Sequence, residues 1–167
     1  EIEDPNDPLR KYKGRVVYQG NNVWDQDWNN AIFQELSSCP PSMEAAKAAD
    51  AYGCFDGNAT ECADAEQAYT QAKLKGPTTY CELPKDRWPK AWANMTRPVV
   101  IMRLALYGHP DAGGFWEKHC EKHLFSTGFV KIPDWRSTYW HASLKLLLIV
   151  YVDDFKLSGP KGSLIEG

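Results

Sequence analysis

The chain has 167 residues, 43% of them hydrophobic and 13% aromatic, which excludes a disordered segment and allows one domain with a packed core. Its longest apolar run covers only residues 146–152, far fewer than the roughly 20 residues of a transmembrane helix, so we expect no membrane span. The formal net charge is −3, whereas nucleic-acid-binding proteins usually carry a basic surplus, so composition alone does not predict such a partner.

The N-terminal residues and the cysteines indicate the compartment. Residues 1–8 are acidic and contain proline, and they lack the basic and apolar regions of a secretory signal peptide. The five cysteines stand at irregular spacing without a Cys-x-x-Cys pair, which favours free thiols in a reducing compartment. We therefore expect an intracellular protein that is not secreted.

The first third of the chain predicts one strand and one clear helix. Basic residues alternate through residues 10–20, which predicts a strand with its basic side chains on one side. The polar and aromatic residues that follow predict a loop, with a short helix around residues 30–36. Ser42 is a candidate N-cap for a helix that ends at Gly53.

The rest of the chain combines short strands with one longer helix. The helix is predicted over residues 111–124, after a glycine-containing turn. Because the elements follow no regular strand–helix–strand rhythm, they predict an α+β fold with an antiparallel sheet. The strands are predicted at residues 60–64, 78–83, 99–106 and 146–152.

A pair of aspartates directly after the last predicted strand is the clearest chemical signal. The apolar residues 146–152 lead into Asp153 and Asp154, and apolar character resumes after them. Two adjacent carboxylates repel each other and lose solvation when they are partly buried. A surface turn between two strands is one explanation, because aspartate is common in turns, and a metal site is the other.

Four segments of the chain carry motifs in a fixed order. A basic strand is predicted over residues 12–17, and residues 63–69 contain an aspartate followed five positions later by an aromatic residue. Residues 103–108 are followed by Trp116, and residues 151–154 read Tyr-Val-Asp-Asp. Together these segments resemble the fingers strand, the first catalytic motif, the segment under the incoming base pair and the polymerase motif of copia-type retrotransposon reverse transcriptases. The resemblance extends over nearly the whole chain.

This resemblance implies an incomplete right-hand polymerase fold, with fingers and palm around an antiparallel sheet and without a thumb. Residues 1–61 would form a fingers-like segment with the basic strand and the helix. Residues 62–167 would form a palm-like segment that carries part of the fingers and stops after the Tyr-Val-Asp-Asp hairpin. The implied partners are an RNA or DNA template-primer, dNTPs, and the thumb, RNase H and integrase of the same polyprotein.

The implied activity is RNA-directed DNA polymerase, a nucleotidyl transfer that uses two Mg²⁺ ions, with Mn²⁺ as an alternative. Asp64 and Asp153 would hold both metals, Asp154 would be an auxiliary carboxylate, and the backbone carbonyl of Ala65 would face a metal. Tyr69 would lie under the sugar and exclude a 2′-hydroxyl. The other nucleotide contacts implied are those of Lys13 and Arg15 with the triphosphate, and of Tyr107 and Gly108.

Two other functions stay open. After Gly108 the copia pattern Leu-Lys-Gln-Ala-Pro-Arg is replaced by His-Pro-Asp-Ala-Gly-Gly at residues 109–114, which exchanges basic for acidic character. This departure motivates a non-catalytic relic or domesticated module of the palm fold that binds RNA or protein. A metal-dependent phosphotransferase or nuclease unrelated to reverse transcriptases would use the same carboxylates, but it would have no reason to hold Tyr69 beside them.

Overall fold

The computed structural model describes residues 14–33 and 40–167, and within them it contains four α-helices and a five-stranded antiparallel sheet. The fold is therefore α+β, as the sequence predicts. None of the helices in these two ranges combines the length and the apolar character that a bilayer crossing requires. The elements are α1 (Met43–Gly53), β1 (Asn58–Asp64), α2 (Ala68–Gln71), β2 (Tyr80–Glu82), β3 (Val99–Ile101), α3 (Ala112–Ser126), β4 (Phe129–Lys131), β5 (Thr138–His141), β6 (Leu146–Tyr151), β7 (Asp154–Pro160) and α4 (Lys161–Leu164).

The strand β6 is the centre of the sheet, whose strand order is β1-β7-β6-β5-β4. Its residues 146–150 are all buried, because α3 covers one face of the strand and α1 covers the other. Leu148 packs in the same cluster as Trp116 of α3, whereas Ile149 packs with Ala49 of α1. The prediction of a central strand with cover on both faces is confirmed, and this explains its unbroken apolar run.

Helix α1 begins where the sequence predicts. The Ser42 side chain accepts a hydrogen bond from the backbone N–H of Ala45 at 3.2 Å, which satisfies one of the free donors at the helix start. Ala45 and Ala49 are fully buried, and such small side chains let the helix lie close to the sheet. The helix ends at Gly53, where an added Cβ would lie 1.9 Å from the Thr60 hydroxyl, so β1 passes directly against this end of α1.

Two predicted segments differ from the structure. Residues 14–19 form no strand. Their backbone is joined to the fold by the hydrogen bond from the Tyr18 N–H to the Tyr107 carbonyl and does not pair along a neighbouring strand. Residues 10–13 of the predicted strand lie outside the described ranges. Residues 30–33 are not helical, and the remainder of the predicted short helix is likewise outside.

Strand pairing accounts for the other differences. The predicted strand at 99–106 ends at Ile101, because Leu104 forms an isolated bridge with Lys73 and no longer follows β2. The strands β4 and β5 and the short helices α2 and α4 were not predicted. The division after residue 61 falls inside β1, and the separation into fingers and palm stays a prediction.

The described cysteines are all free thiols, as predicted: Cys54, Cys62, Cys81 and Cys120. Cys54 and Cys62 are exposed, whereas Cys120 is buried in α3 against the sheet. The fifth cysteine, Cys39, lies outside the described ranges.

Candidate functional site

Asp64 and Asp154 are direct partners in the antiparallel pairing of β1 with β7. Directly opposed residues carry their side chains on the same side of a sheet, with Cβ atoms about 4.5–5.5 Å apart. One residue further, the Ala65 N–H donates a hydrogen bond of 2.7 Å to the backbone carbonyl of Asp153. All three aspartates therefore lie at one end of the sheet, and the prediction that Asp64 ends a strand beside the hairpin is confirmed.

The tip of the β6–β7 hairpin is a two-residue turn. Tyr151 pairs with Asp154, which leaves Val152 and Asp153 as the turn residues. Val152 has a φ of 56°, a backbone conformation that β-branched residues rarely adopt. The indole Nε1–H of Trp116, which is only 4% exposed, donates to the Val152 carbonyl at 2.6 Å. A buried helix residue thus holds the strained turn that carries Asp153.

The carboxylates at this end of the sheet are open to solvent. Asp64 and Asp154 are exposed and Asp153 is half-buried. Within the described ranges no three His, Cys, Asp or Glu side chains come together as a metal-binding group, so a metal here requires the three carboxylates to converge around it. Like charges favour separation until a cation lies between them. The all-oxygen donor set suits Mg²⁺ or Mn²⁺, and the ligand roles of the three aspartates and Ala65 stay predictions.

Three side chains of the predicted nucleotide site contact one another. The rings of Tyr69 and Tyr107 meet edge to face with centroids 4.6 Å apart, and the guanidinium carbon of Arg15 lies 4.7 Å from the centre of the Tyr107 ring. Burial raises the pKa of Tyr69, and the negative charge of Asp153 raises it further. Three residues that the resemblance assigns to the nucleotide site are therefore neighbours.

Local backbone geometry positions Tyr69. Gln67, directly before α2, has a left-handed φ of 53°, which turns the chain sharply after the end of β1. Ala68 is fully buried, so the first residue of α2 anchors the turn in the core. Tyr69 follows at once, and its ring contacts that of Tyr107.

Gly108 holds the N-terminal segment against the site. It has a φ of 86°, and a Cβ there would lie 2.0 Å from the Tyr18 carbonyl oxygen. The Tyr18 N–H donates to the carbonyl of Tyr107 at 2.7 Å. These contacts bring the segment with Arg15 over Tyr107. A nucleotide contact of Gly108 stays a prediction, and Lys13 lies outside the described ranges.

The turn that departs from the copia pattern is largely buried. His109 is only 6% exposed and packs between the rings of Tyr18 and Phe33. Its Nδ1 accepts a hydrogen bond of 3.2 Å from the Asp111 N–H, and burial lowers its pKa. Residues 109–114 therefore form a packed turn at the start of α3 in place of the basic segment of the copia pattern, and His109 fills the space next to Gly108.

Lys156 is a residue of this region that the sequence interpretation missed. It lies two residues after Asp154 on β7, so strand alternation places both side chains on the same face. Its Nζ forms an ion pair of 2.8 Å with Asp50 of α1. The period-two spacing was visible in the sequence, but the partner on α1 depends on the packing of the helix.

Comparison with known proteins gives no independent assignment of the site. No protein-family model matches the chain, and no curated protein or solved structure matches it significantly.

Proposed function

We propose that the chain is the fingers-and-palm part of an RNA-directed DNA polymerase of the copia reverse transcriptase type. The observation that carries the proposal is the direct pairing of Asp64 with Asp154 beside the turn that holds Asp153. The ring of Tyr69, whose pKa the charge of Asp153 raises, supports it further, because an unrelated metal-dependent nuclease or phosphotransferase gives no reason for such a ring.

In this proposal Asp64 and Asp153 hold two Mg²⁺ or Mn²⁺ ions, with Asp154 as the auxiliary carboxylate and Ala65 contributing its carbonyl. When bound, the ions activate the primer hydroxyl and stabilise the leaving pyrophosphate. The exposure of Asp64 and Asp154 suits this role, because substrate and metal enter from solvent.

The nucleotide would lie between Asp153 and Arg15. Tyr69 follows Asp64 by five residues, and its ring would bound the sugar and leave no room for a 2′-hydroxyl. Arg15 would bind the triphosphate, since its planar guanidinium can donate two parallel hydrogen bonds to phosphate oxygens. Its position over the Tyr107 ring restricts its rotamers and presents it beside Tyr69.

The remaining partners are part of the same proposal. An RNA or DNA template-primer would lie across the open end of the sheet, and a thumb, RNase H and integrase would belong to the same polyprotein. The protein would then act inside the cell. The acidic balance of the chain requires that its contact with nucleic acid come from local groups such as Arg15.

Primer extension tests the activity. The full chain is incubated with an RNA template, a DNA primer, dNTPs and either Mg²⁺ or Mn²⁺. We expect extension by the wild type and by Asp56→Asn, which removes an exposed carboxylate in a turn away from the site, and none by Asp153→Asn. Equal extension by Asp153→Asn would contradict the proposal.

The same samples separate the alternative function. If the chain is a palm-fold module without catalysis, we expect the wild type to bind RNA in a mobility-shift assay but to extend no primer with either metal. That result would replace the polymerase assignment with the binding module.

A further inference from the structure

We propose that Asp50 and Lys156 form a positioning pair that sets the affinity of the carboxylate edge for divalent cations. Asp50 holds the Lys156 ammonium away from Asp64 and Asp154 and so leaves their oxygens for the metal. The inference rests on the proposed metal site and adds a regulating residue pair outside the carboxylates themselves.

The register of the sheet brings the ammonium within range. Asp154 pairs with Asp64, and in the next row on the same face Lys156 pairs with Cys62 of β1 and Ile149 of β6. Neighbouring rows on one face lie about 7 Å apart, because a strand rises about 3.4 Å per residue. A lysine stem of four methylenes can span such a distance, so the carboxylate row is a natural alternative partner for Lys156.

The position of α1 determines whether Lys156 contacts Asp50 or the carboxylates of Asp64 and Asp154. The helix packs on the face that carries Lys156, with Ala45 and Ala49 against Leu147 and Ile149. Asp50 follows Ala49 directly, and its Oδ1 lies 2.8 Å from the Lys156 Nζ. The Lys156 side chain is 31% exposed and that of Asp50 is 59% exposed, so the pair is free to exchange partners on the surface.

The carboxylates themselves stay without an ion pair. Within residues 14–33 and 40–167, none of the ion pairs includes Asp64, Asp153 or Asp154. If Asp50 lost its charge, the nearest acidic row on this face would be that of Asp154 and Asp64. An ammonium placed there would occupy oxygens that a metal needs and would offset their charge.

Titration of Mn²⁺ into the full chain tests this, with free Mn²⁺ measured by electron paramagnetic resonance. We expect Asp50→Asn to weaken binding by roughly two- to fivefold, the range that an exposed ion pair supports. Lys156→Met should bind as tightly as the wild type or more tightly. The double variant Asp50→Asn/Lys156→Met should bind like Lys156→Met, because the competing ammonium is gone.

Asp134→Asn is the matched control, since it removes an exposed carboxylate elsewhere and its left-handed backbone suits asparagine. It should leave the affinity unchanged. The inference is overturned if Asp50→Asn binds like the wild type, or if the double variant is as weak as Asp50→Asn alone. Unchanged affinity in Asp153→Asn would remove the proposed metal site itself, and with it this inference, so the two failures are distinguishable.

Discussion

Trp116 and Val152 are joined by a hydrogen bond of 2.6 Å from the indole N–H to a backbone carbonyl. The bond links α3 to the tip of the β6–β7 hairpin, where Val152 has a left-handed backbone. Strained backbone persists where the surrounding structure enforces it, and here the buried indole supplies that restraint. The position of Asp153 therefore depends on a residue of a different element.

Replacing Trp116 with phenylalanine should destabilise the protein. The change keeps an aromatic ring but leaves the Val152 carbonyl without its donor, which we expect to lower the free energy of unfolding by about 1–3 kcal/mol. Trp88→Phe is the control, because Trp88 also donates to a backbone carbonyl, that of Leu83, but is less buried. Urea denaturation measures the free energy of unfolding of both variants. Equal losses would show that the Trp116 hydrogen bond to the hairpin stabilises the protein no more than that of Trp88.

The central strand should be sensitive to the loss of side-chain volume. Leu148 is 4% exposed, and Leu148→Ala should lower the free energy of unfolding by about 2–5 kcal/mol through lost burial and a cavity. Val130→Ala on β4 should change it by less than about 0.5 kcal/mol, because Val130 is exposed. A small effect of Leu148→Ala in urea denaturation would contradict the packing of β6 between α1 and α3.

Alkaline pH should destabilise the fold through Cys120. Burial, and then the charges of Glu121 and Glu117, raise the pKa of this thiol to about 11. The unfolded chain loses this proton near pH 9, so stability is complete below that pH and falls until about pH 11. At about pH 10.5 the loss is roughly 2 kcal/mol.

Urea denaturation at several pH values measures this loss. Cys120→Ala should flatten the decline, whereas Cys62→Ala, at an exposed thiol, should leave its slope unchanged. The buried Tyr139, whose pKa is raised by burial and by Glu121, adds its own decline at higher pH. If Cys120→Ala and the wild type show the same pH dependence, the thiol is not held in its protonated form by the fold.

The sequence predicts best what local patterns determine. The apolar run of β6 and the Ser42 cap of α1 are local signals, and both elements are where we expect them. The extent of a strand depends on its partner, which is why the strand predicted at 99–106 stops at Ile101 and why the short strands β4 and β5 were missed.

The candidate site shows the same division. The resemblance predicted the aspartates and Tyr69. In the structure Asp64 pairs with Asp154, and the Tyr107 ring contacts both the Tyr69 ring and the Arg15 guanidinium. The pairing of Lys156 with Asp50 joins residues 106 positions apart, and no local pattern marks it. Nor does the sequence show that the turn at His109 is buried, because that depends on packing against Tyr18.

Tyr69 should determine sugar selectivity if the proposed function is correct. Tyr69→Ala should raise the use of ribonucleotides relative to dNTPs in primer extension, because the ring no longer blocks the 2′-hydroxyl; such steric discrimination can reach several kcal/mol. Tyr69→Phe keeps the ring and its contact with Tyr107, so it should retain the wild-type ratio. An unchanged ratio in an active Tyr69→Ala variant would make the ring a packing residue only.

A crystal structure of the full chain with Mn²⁺ tests the central claim most directly, through the anomalous signal of the ion. We expect Mn²⁺ at the end of the sheet, with carboxylate oxygens of Asp64 and Asp153 about 2.0–2.3 Å from the metal and Asp154 beside them. The Asp153→Asn variant, crystallised in the same way, should lose that signal. Mn²⁺ bound elsewhere, or Asp64 and Asp153 too far apart to share one ion at saturating Mn²⁺, would contradict the account.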